Sequence, residues 1–224
     1  VKDALARKDI KTANRLFLER ATYLIRNKQL DSLSSETGLA GEIGFAQNDL
    51  PGAVQNIQRF IDTAVALSGV PELRVNMHVK AADYFNVLGQ TRLALDQYQT
   101  ALISERRLQL PDTLEVARLH YNIGTCLQRM GMLPEAAAKY RLSNAIRTTN
   151  ARTTPEDLYL TQNAMGTVMW YALKYDSASL FFNQALITLN KMPSTPQNKY
   201  YRPSIIQNNL AAIYGAEGKT TAAI

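Results

Sequence analysis

Two histidines and one cysteine are the side chains of this chain best suited to metal binding or nucleophilic chemistry. His78 and His120 are 42 residues apart, so a repeat of that length would place both in the same structural slot. Cys126 follows His120 by six residues, which is roughly 240° around a helix, so these two side chains cannot converge on one ion. Because a zinc site needs three or four such ligands, we predict no metal site.

Motifs of the common enzyme classes are also missing from the sequence. It contains no glycine-rich phosphate loop, no nucleophile elbow and no HExxH zinc motif. The glycine segments "LGQT" and "GMLPE" have the composition of turns between helices. We therefore predict a chain without catalytic residues and without a cofactor, which is compatible with an enzyme domain elsewhere in a longer protein.

The strongest pattern in the sequence is a repeat of 40 to 45 residues with one alanine marking each unit. These alanines are Ala13, Ala53, Ala94, Ala136, Ala178 and Ala223. Four residues after the first five come the large apolar residues Phe17, Ile57, Tyr98, Tyr140 and Phe182. Twelve residues before the last five come the small residues Gly41, Ala82, Gly124, Gly166 and Ala211. Spacings of three and four residues indicate helices rather than strands, so each unit is predicted to contain two helices.

Breaks between the paired helices are predicted at glycines, because glycine tolerates the left-handed backbone that ends a helix. They fall near Gly89, Gly131 and Gly218, and at "NDLPG" in the first complete unit. Longer connections that contain proline separate one unit from the next. In one of them, "TTPED" has a threonine cap, a proline in the first turn and two acids near the positive end of a helix.

This skeleton resembles the tetratricopeptide repeat (TPR). "NIGTCLQRMGMLPEAAAKY" follows the family pattern with Leu127 at a position that is usually aromatic, and "NLAAIYGAEGKTTAAI" follows it with Tyr214 there. The resemblance implies an all-α, right-handed superhelical solenoid of helix-turn-helix hairpins. The units exceed the usual length of about 34 residues, and in this they are similar to kinesin light chains and to bacterial peptide-sensing regulators and sensor kinases.

The register of the repeat predicts one solenoid domain over residues 1–224, as a fragment of a larger protein. It divides into a partial unit 1–33, complete units 34–74, 75–116, 117–158 and 159–203, and an incomplete unit 204–224. A hairpin cannot bury both of its faces alone, so the units must stack. Because the last unit lacks most of its second helix, we expect Leu210, Ile213 and Tyr214 to lie bare, which would favour self-association through this end.

In TPR proteins the first helix of each unit lines the concave side, and the resemblance therefore implies a ligand groove there. Its candidate residues are Lys80, Asn86, Arg118, Tyr121, Asn122, Arg129, Asn163, Trp170, Tyr171, Asn208 and Asn209. A carboxamide can both donate to and accept from a peptide group of an extended ligand. Aromatic rings could cover apolar side chains, and the cations could meet carboxylates. The alternative is that the asparagines bond to neighbouring helix ends or to water.

The carboxylate clamp of chaperone-binding TPR proteins is not reproduced. It uses lysine and asparagine in one unit, asparagine in the next and two basic residues in the third. With Asn122 in the middle, the preceding unit offers Val79 and Asp83, and the following unit offers Leu160 and Ala164. We therefore predict no binding to chaperone C-termini.

The charge of the chain bears on its partners. The formal net charge is +6, and eight Lys or Arg against four Asp or Glu lie between Ala101 and Arg152. We expect a protein or extended-peptide partner, with an acidic one favoured; nucleic-acid binding is not predicted, because an obvious basic stripe is missing.

The resemblance places the module in a bacterial signalling protein, a histidine kinase or a transcription regulator, as its sensor or scaffold region. The alternative is a purely structural assembly scaffold. No apolar run approaches the ~18 residues of a membrane span, and the compartment is left open between cytoplasm and periplasm.

Overall fold

The computed structural model describes residues 1–218, and every regular element in that range is helical. The elements are α1 (Lys2–Ala6), α2 (Ile10–Arg26), α3 (Leu30–Ser35), α4 (Thr37–Ser68), α5 (Pro71–Val87), α6 (Thr91–Arg106), α7 (Thr113–Arg129), α8 (Leu133–Thr149), α9 (Pro155–Tyr171), α10 (Tyr175–Leu189), a π-helical segment (Gln197–Tyr201) and α11 (Arg202–Ala216). The predicted all-α fold class is therefore confirmed.

Packing divides the chain into two compact units, Val1–Pro111 and the remainder from Asp112 onward. In the first unit α1 packs on α2, α2 packs on α3 and α4, and α5 packs on α3, α4 and α6. In the second unit α7 packs on α8, α8 on α9, α9 on α10, and α10 on α11. Each helix thus contacts mainly its neighbours in sequence, as stacked hairpins require.

The residues that mark the repeat form the core of each hairpin. Ala13, Ala53, Ala94, Ala136 and Ala178 are all 0% exposed, and the large apolar residue four positions after each is also buried. The small residue of the first helix faces that large side chain closely: a Cβ added to Gly124 would lie 2.8 Å from the ring of Tyr140. The predicted pairing of helices is therefore confirmed, whereas Ala223 lies outside the described residues.

One residue in the turn of each hairpin has a left-handed backbone, and these residues recur with the repeat. They are Lys8, Asp49, Gly89, Gly131, Leu173 and Gly218. The predicted glycine turns are confirmed, and the predicted break at "NDLPG" is a bend in α4, where Asn48 and Asp49 leave helical geometry. The sequence did not predict that Leu173, with φ +57°, would occupy the glycine position.

Alanine in place of Gly131 should lower the free energy of unfolding by about 1 kcal/mol, because a left-handed backbone costs a residue with a Cβ ~1–2 kcal/mol. The reverse change, Leu173→Gly, should be neutral or stabilising, since the Leu173 side chain is exposed and contributes little packing. Urea unfolding followed by the fluorescence of Trp170, the single tryptophan, measures both variants. A Gly131→Ala protein as stable as the wild type would contradict this reading of the turns.

Helix caps set the starts of the first helices. α5, α7 and α9 each begin four residues before the unit boundaries drawn from the sequence. Asp112 accepts from the backbone N–H of Leu114 at 2.9 Å, and Thr154 and Asp157 form a reciprocal capping box. The start predicted at "TTPED" is therefore confirmed.

The end of the described chain differs from the expectation. Leu210 is 7% exposed and Ile213 is 0% exposed, so the prediction that they lie bare is wrong. Tyr214 is partly exposed, and self-association through this end stays a prediction. No helix within residues 1–218 combines the length and the apolar character that crossing a membrane requires.

Candidate ligand groove on the first helices

An open groove runs along the first helices of the first compact unit. A hollow of about 500 Å³ lies between α4 and α5, and a second of about 550 Å³ adjoins it. The two hollows are continuous because Ser35, Gly38 and Glu42 line both. The first hollow is also lined by Phe45, Ala46, Lys80, Asp83, Tyr84, Val87 and Leu88.

Apolar side chains in this groove are unusually accessible. Phe45 is 42% exposed, Val87 is 86% exposed and Leu88 is 38% exposed. Tyr84 lies among them, and burial raises its pKa to about 12, so the phenol stays protonated and can donate a hydrogen bond. An apolar floor with a few polar groups at its rim can accept an apolar side chain of a ligand.

The sequence register anticipates this face but missed half of the groove. Ser35, Gly38, Glu42 and Phe45 lie 41 residues before Asn76, Val79, Asp83 and Asn86, whose repeat positions were assigned to the concave side. The earlier unit was left out because its pattern is the most degenerate. Shifting the same register back by one unit would have found it.

The structure separates the predicted groove residues of α5. Lys80 is exposed and lines the α4–α5 hollow. Asn86 instead donates to the Tyr98 hydroxyl at 3.3 Å, and that hydroxyl donates to Asp83 at 2.8 Å. Asn86 therefore follows the alternative in which a carboxamide serves the hairpin itself, while Val79 is buried rather than facing a ligand.

The same arrangement recurs 42 residues later. The Tyr140 hydroxyl donates to Gln128 at 2.9 Å and lies 3.2 Å from the hydroxyl of Thr125. Sequence analysis treated these tyrosines as core fillers and missed their second role. Their hydroxyl groups orient polar side chains of the first helix from behind, because a buried phenol needs a hydrogen-bond partner.

In the second unit, the predicted cations on α7 differ in their surroundings. Arg118 forms a two-pronged contact with Glu115 on the same helix, at 2.8 and 2.5 Å, which offsets its charge locally. Arg129 is exposed at the end of α7. A predicted carboxylate contact through Arg118 would therefore compete with Glu115.

Tyr121 is held by a buried arginine that the sequence analysis had counted as part of a basic surface. The Arg147 guanidinium lies 5.3 Å from the centroid of the Tyr121 ring and is 4% exposed as a residue. It donates to the carbonyl of Asp157 at 2.8 Å and to the hydroxyl of Thr161. The signal was available, because the buried Leu189 occupies the same register one unit later.

The predicted asparagines of the second unit differ in exposure. Asn122 and Asn209 are half-buried, Asn208 is exposed, and the side-chain oxygen of Asn163 is buried without a hydrogen-bond partner among residues 1–218. Trp170 and Tyr171 stack at 5.3 Å with 25° between their planes. These side chains offer carboxamides and an aromatic surface, as the groove hypothesis requires.

The histidines and the cysteine lie in the core. His78 and His120 are buried, and His78 Nδ1 lies 2.8 Å from Oε1 of Gln97. Burial raises the pKa of Cys126 to about 11, which leaves the thiol protonated and poorly nucleophilic. Among residues 1–218, no three His, Cys, Asp or Glu side chains are grouped to hold a metal ion.

No protein-family model matches this sequence, and no curated protein matches it. Solved structures do: BtubC (BKLC) from P. vanneervenii matches with a TM-score of 0.71 and 18% identity, over 98% of this chain and 87% of that one. A putative kinesin light chain with TPR-like repeats from Podosopora anserina matches with a TM-score of 0.58 and 16% identity, over 89% and 90%. PilF of Pseudomonas aeruginosa matches with a TM-score of 0.54 and 18% identity, over 88% and 72%. Because these likenesses agree with the paired helices and the buried repeat residues, the chain has the tetratricopeptide-repeat fold.

Proposed function

We propose that this chain is a protein- or peptide-binding module that holds a segment of its partner against the first helices. The observation that carries the proposal is the groove of the first compact unit, where Phe45, Val87 and Leu88 expose apolar surface beside a polar rim. Exposed apolar side chains that cluster in a concave surface mark interaction sites in soluble proteins. The groove has room for side chains of an extended ligand.

A purely structural scaffold is the second candidate. It is favoured by the internal use of predicted groove residues, since Asn86 bonds to Tyr98 and Tyr121 packs under Arg147. Such a scaffold would join its subunits through other surfaces and would not need an open groove. A bacterial signalling host stays a prediction of the resemblance, and the sequence that flanks this chain in the full-length protein tests it.

Filling the groove should abolish binding without harming the fold. Gly38 lines both hollows, and a Cβ there would meet just one atom within 4 Å, a ring carbon of Tyr84 at 3.8 Å. The chain itself places tyrosine at this register, at Tyr121. We expect Gly38→Tyr to weaken the binding of groove ligands at least tenfold at an unchanged or higher melting temperature, because glycine within a helix costs roughly 1 kcal/mol.

The probe is a set of dodecapeptides selected from a random phage library on the wild-type chain, with affinities measured by titration calorimetry. Gly38→Ala is the matched control and should bind normally. Peptides that still bind Gly38→Tyr should use Asn122 and Asn209, and alanine at both should cost about 1 kcal/mol per lost hydrogen bond. If every selected peptide binds both variants as it binds the wild type, the groove proposal is wrong.

A further inference from the structure

Glu42 lies where the two hollows of the groove meet. It lines both of them, and its charge contributes to the raised pKa of Tyr84, which places the carboxylate near that ring. The described lining of the α4–α5 hollow contains two carboxylates, Glu42 and Asp83, and one cation, Lys80, so its net charge is 1 − 2 = −1. No ion pair within 4.0 Å joins Glu42 or Asp83 to a residue of 1–218.

The chemistry of this register changes along the chain. The position is Glu42, then Asp83, Thr125 and Thr167, at spacings of 41, 42 and 42 residues. Both threonines donate to a carbonyl of their own helix, so the fold accepts a hydroxyl side chain here. Carboxylates at this register are therefore a property of the first unit and are not required by the hairpin.

Asp83 is also fixed in place. The buried Tyr98 donates its hydroxyl proton to Oδ1 of Asp83 at 2.8 Å, while the Asp83 residue itself is exposed in the groove. One oxygen is thus occupied from behind, and Oδ2 is left for a ligand. A carboxylate oriented in this way loses little conformational entropy when it meets a cation.

We propose that this groove selects a partner segment that carries a lysine or arginine next to an apolar side chain. The apolar side chain packs on Phe45, Tyr84 and Leu88, and the cation lies between Glu42 and Asp83. Cations between carboxylates form charge-assisted hydrogen bonds, and such charge matching sets which partners are accepted. The inference rests on the proposed function, and it gives the first unit a preference opposite to the acidic partner that the net charge favours.

The larger charge of the chain does not decide this local preference. Three arginines of the basic middle are each paired with a carboxylate in the second unit: Arg118 with Glu115, Arg147 with Asp157, and Arg152 with Asp112. The Debye length of about 8 Å at physiological ionic strength limits how far the remaining exposed charges act. Groups inside the groove therefore dominate at the ligand.

The test compares the wild type with a Glu42→Thr, Asp83→Thr double variant, each panned against the same random dodecapeptide phage library. Threonine is the residue the chain itself uses at this register, and at position 83 it can still pair with the Tyr98 hydroxyl, as Thr125 does with Tyr140. We expect lysine and arginine next to apolar residues to be enriched at least threefold by the wild type. The double variant should keep the apolar preference and lose the cation preference. Glu135→Thr, an exposed acid on α8, is the control and should select as the wild type does.

The outcomes separate this inference from the proposed function. Wild-type enrichment of acidic or uncharged peptides, or a cation preference that survives in the double variant, would overturn the inference while groove binding stands. A wild type that enriches no peptide, or peptides that bind normally to Gly38→Tyr and to the asparagine variant, would overturn the proposed function and the inference together.

Discussion

Alanine in place of Gly44 should lower the free energy of unfolding of the first compact unit by about 3 kcal/mol. Gly44 and Gly52 face each other across the bend of α4, and a Cβ on either would lie 2.2 Å from the carbonyl oxygen of the other. A side chain could rotate away from a new methyl group, but a backbone carbonyl can move only if the hairpin opens. We expect Gly52→Ala to have a similar effect for the same reason.

Thermal and urea unfolding followed by far-ultraviolet circular dichroism measures this change. Gly38→Ala is the matched control: it adds the same methyl group to the same helix, where the nearest atom is 3.8 Å away. That variant should be as stable as the wild type or up to roughly 1 kcal/mol more stable. Equal stability of Gly44→Ala and Gly38→Ala would show that the two halves of α4 do not approach as closely as described.

Gly44 also shows what the sequence could not provide. Its register holds Phe85, Leu127 and Met169 in the later units, so the first complete unit lacks a large core side chain. The sequence marks this as a degenerate repeat but does not say how the gap is closed. The structure closes it by bringing two backbones together, and a distance of that kind leaves no periodic trace in a sequence.

The helices, by contrast, could be predicted well. Burial in a stacked hairpin repeats along the chain, so a regular spacing of alanine and large apolar residues is enough to place helix pairs and their core. Boundaries were less certain because caps such as Asp112 and Thr154 decide where each helix begins. Leu173 in a left-handed turn shows that the hairpin geometry persists where the glycine signal is lost.

For the candidate site, the register predicted a face but not the state of each side chain on it. Whether Asn86 meets a ligand depends on Tyr98, which lies on the partner helix of its hairpin. Tyr121 likewise depends on Arg147 from α8. Contacts of this kind join residues 12 and 26 positions apart, at spacings that the repeat pattern does not specify.

Arg147→Ala should cost about 3 kcal/mol of unfolding free energy in the second compact unit. The side chain is buried, is 3.3 Å from Asp157 in an ion pair, donates to Asp157 and Thr161, and covers the ring of Tyr121. Alanine removes these contacts together and leaves a cavity between α8 and α9. Lysine should rescue little, because it cannot make the planar, two-directional contacts of a guanidinium.

The exposed pair Arg152–Asp112 is the control that separates burial from ion pairing. Its atoms are closer, at 2.6 Å, but its side chains are 63% and 46% exposed. Arg152→Ala should therefore cost no more than about 1 kcal/mol, since water competes for both charges. Leucine at position 147 should recover part of the loss seen with alanine, because Leu189 fills the same register one unit later. Urea unfolding followed by Trp170 fluorescence compares the variants, and equal costs for Arg147→Ala and Arg152→Ala would mean that Arg147 is a solvated surface charge after all.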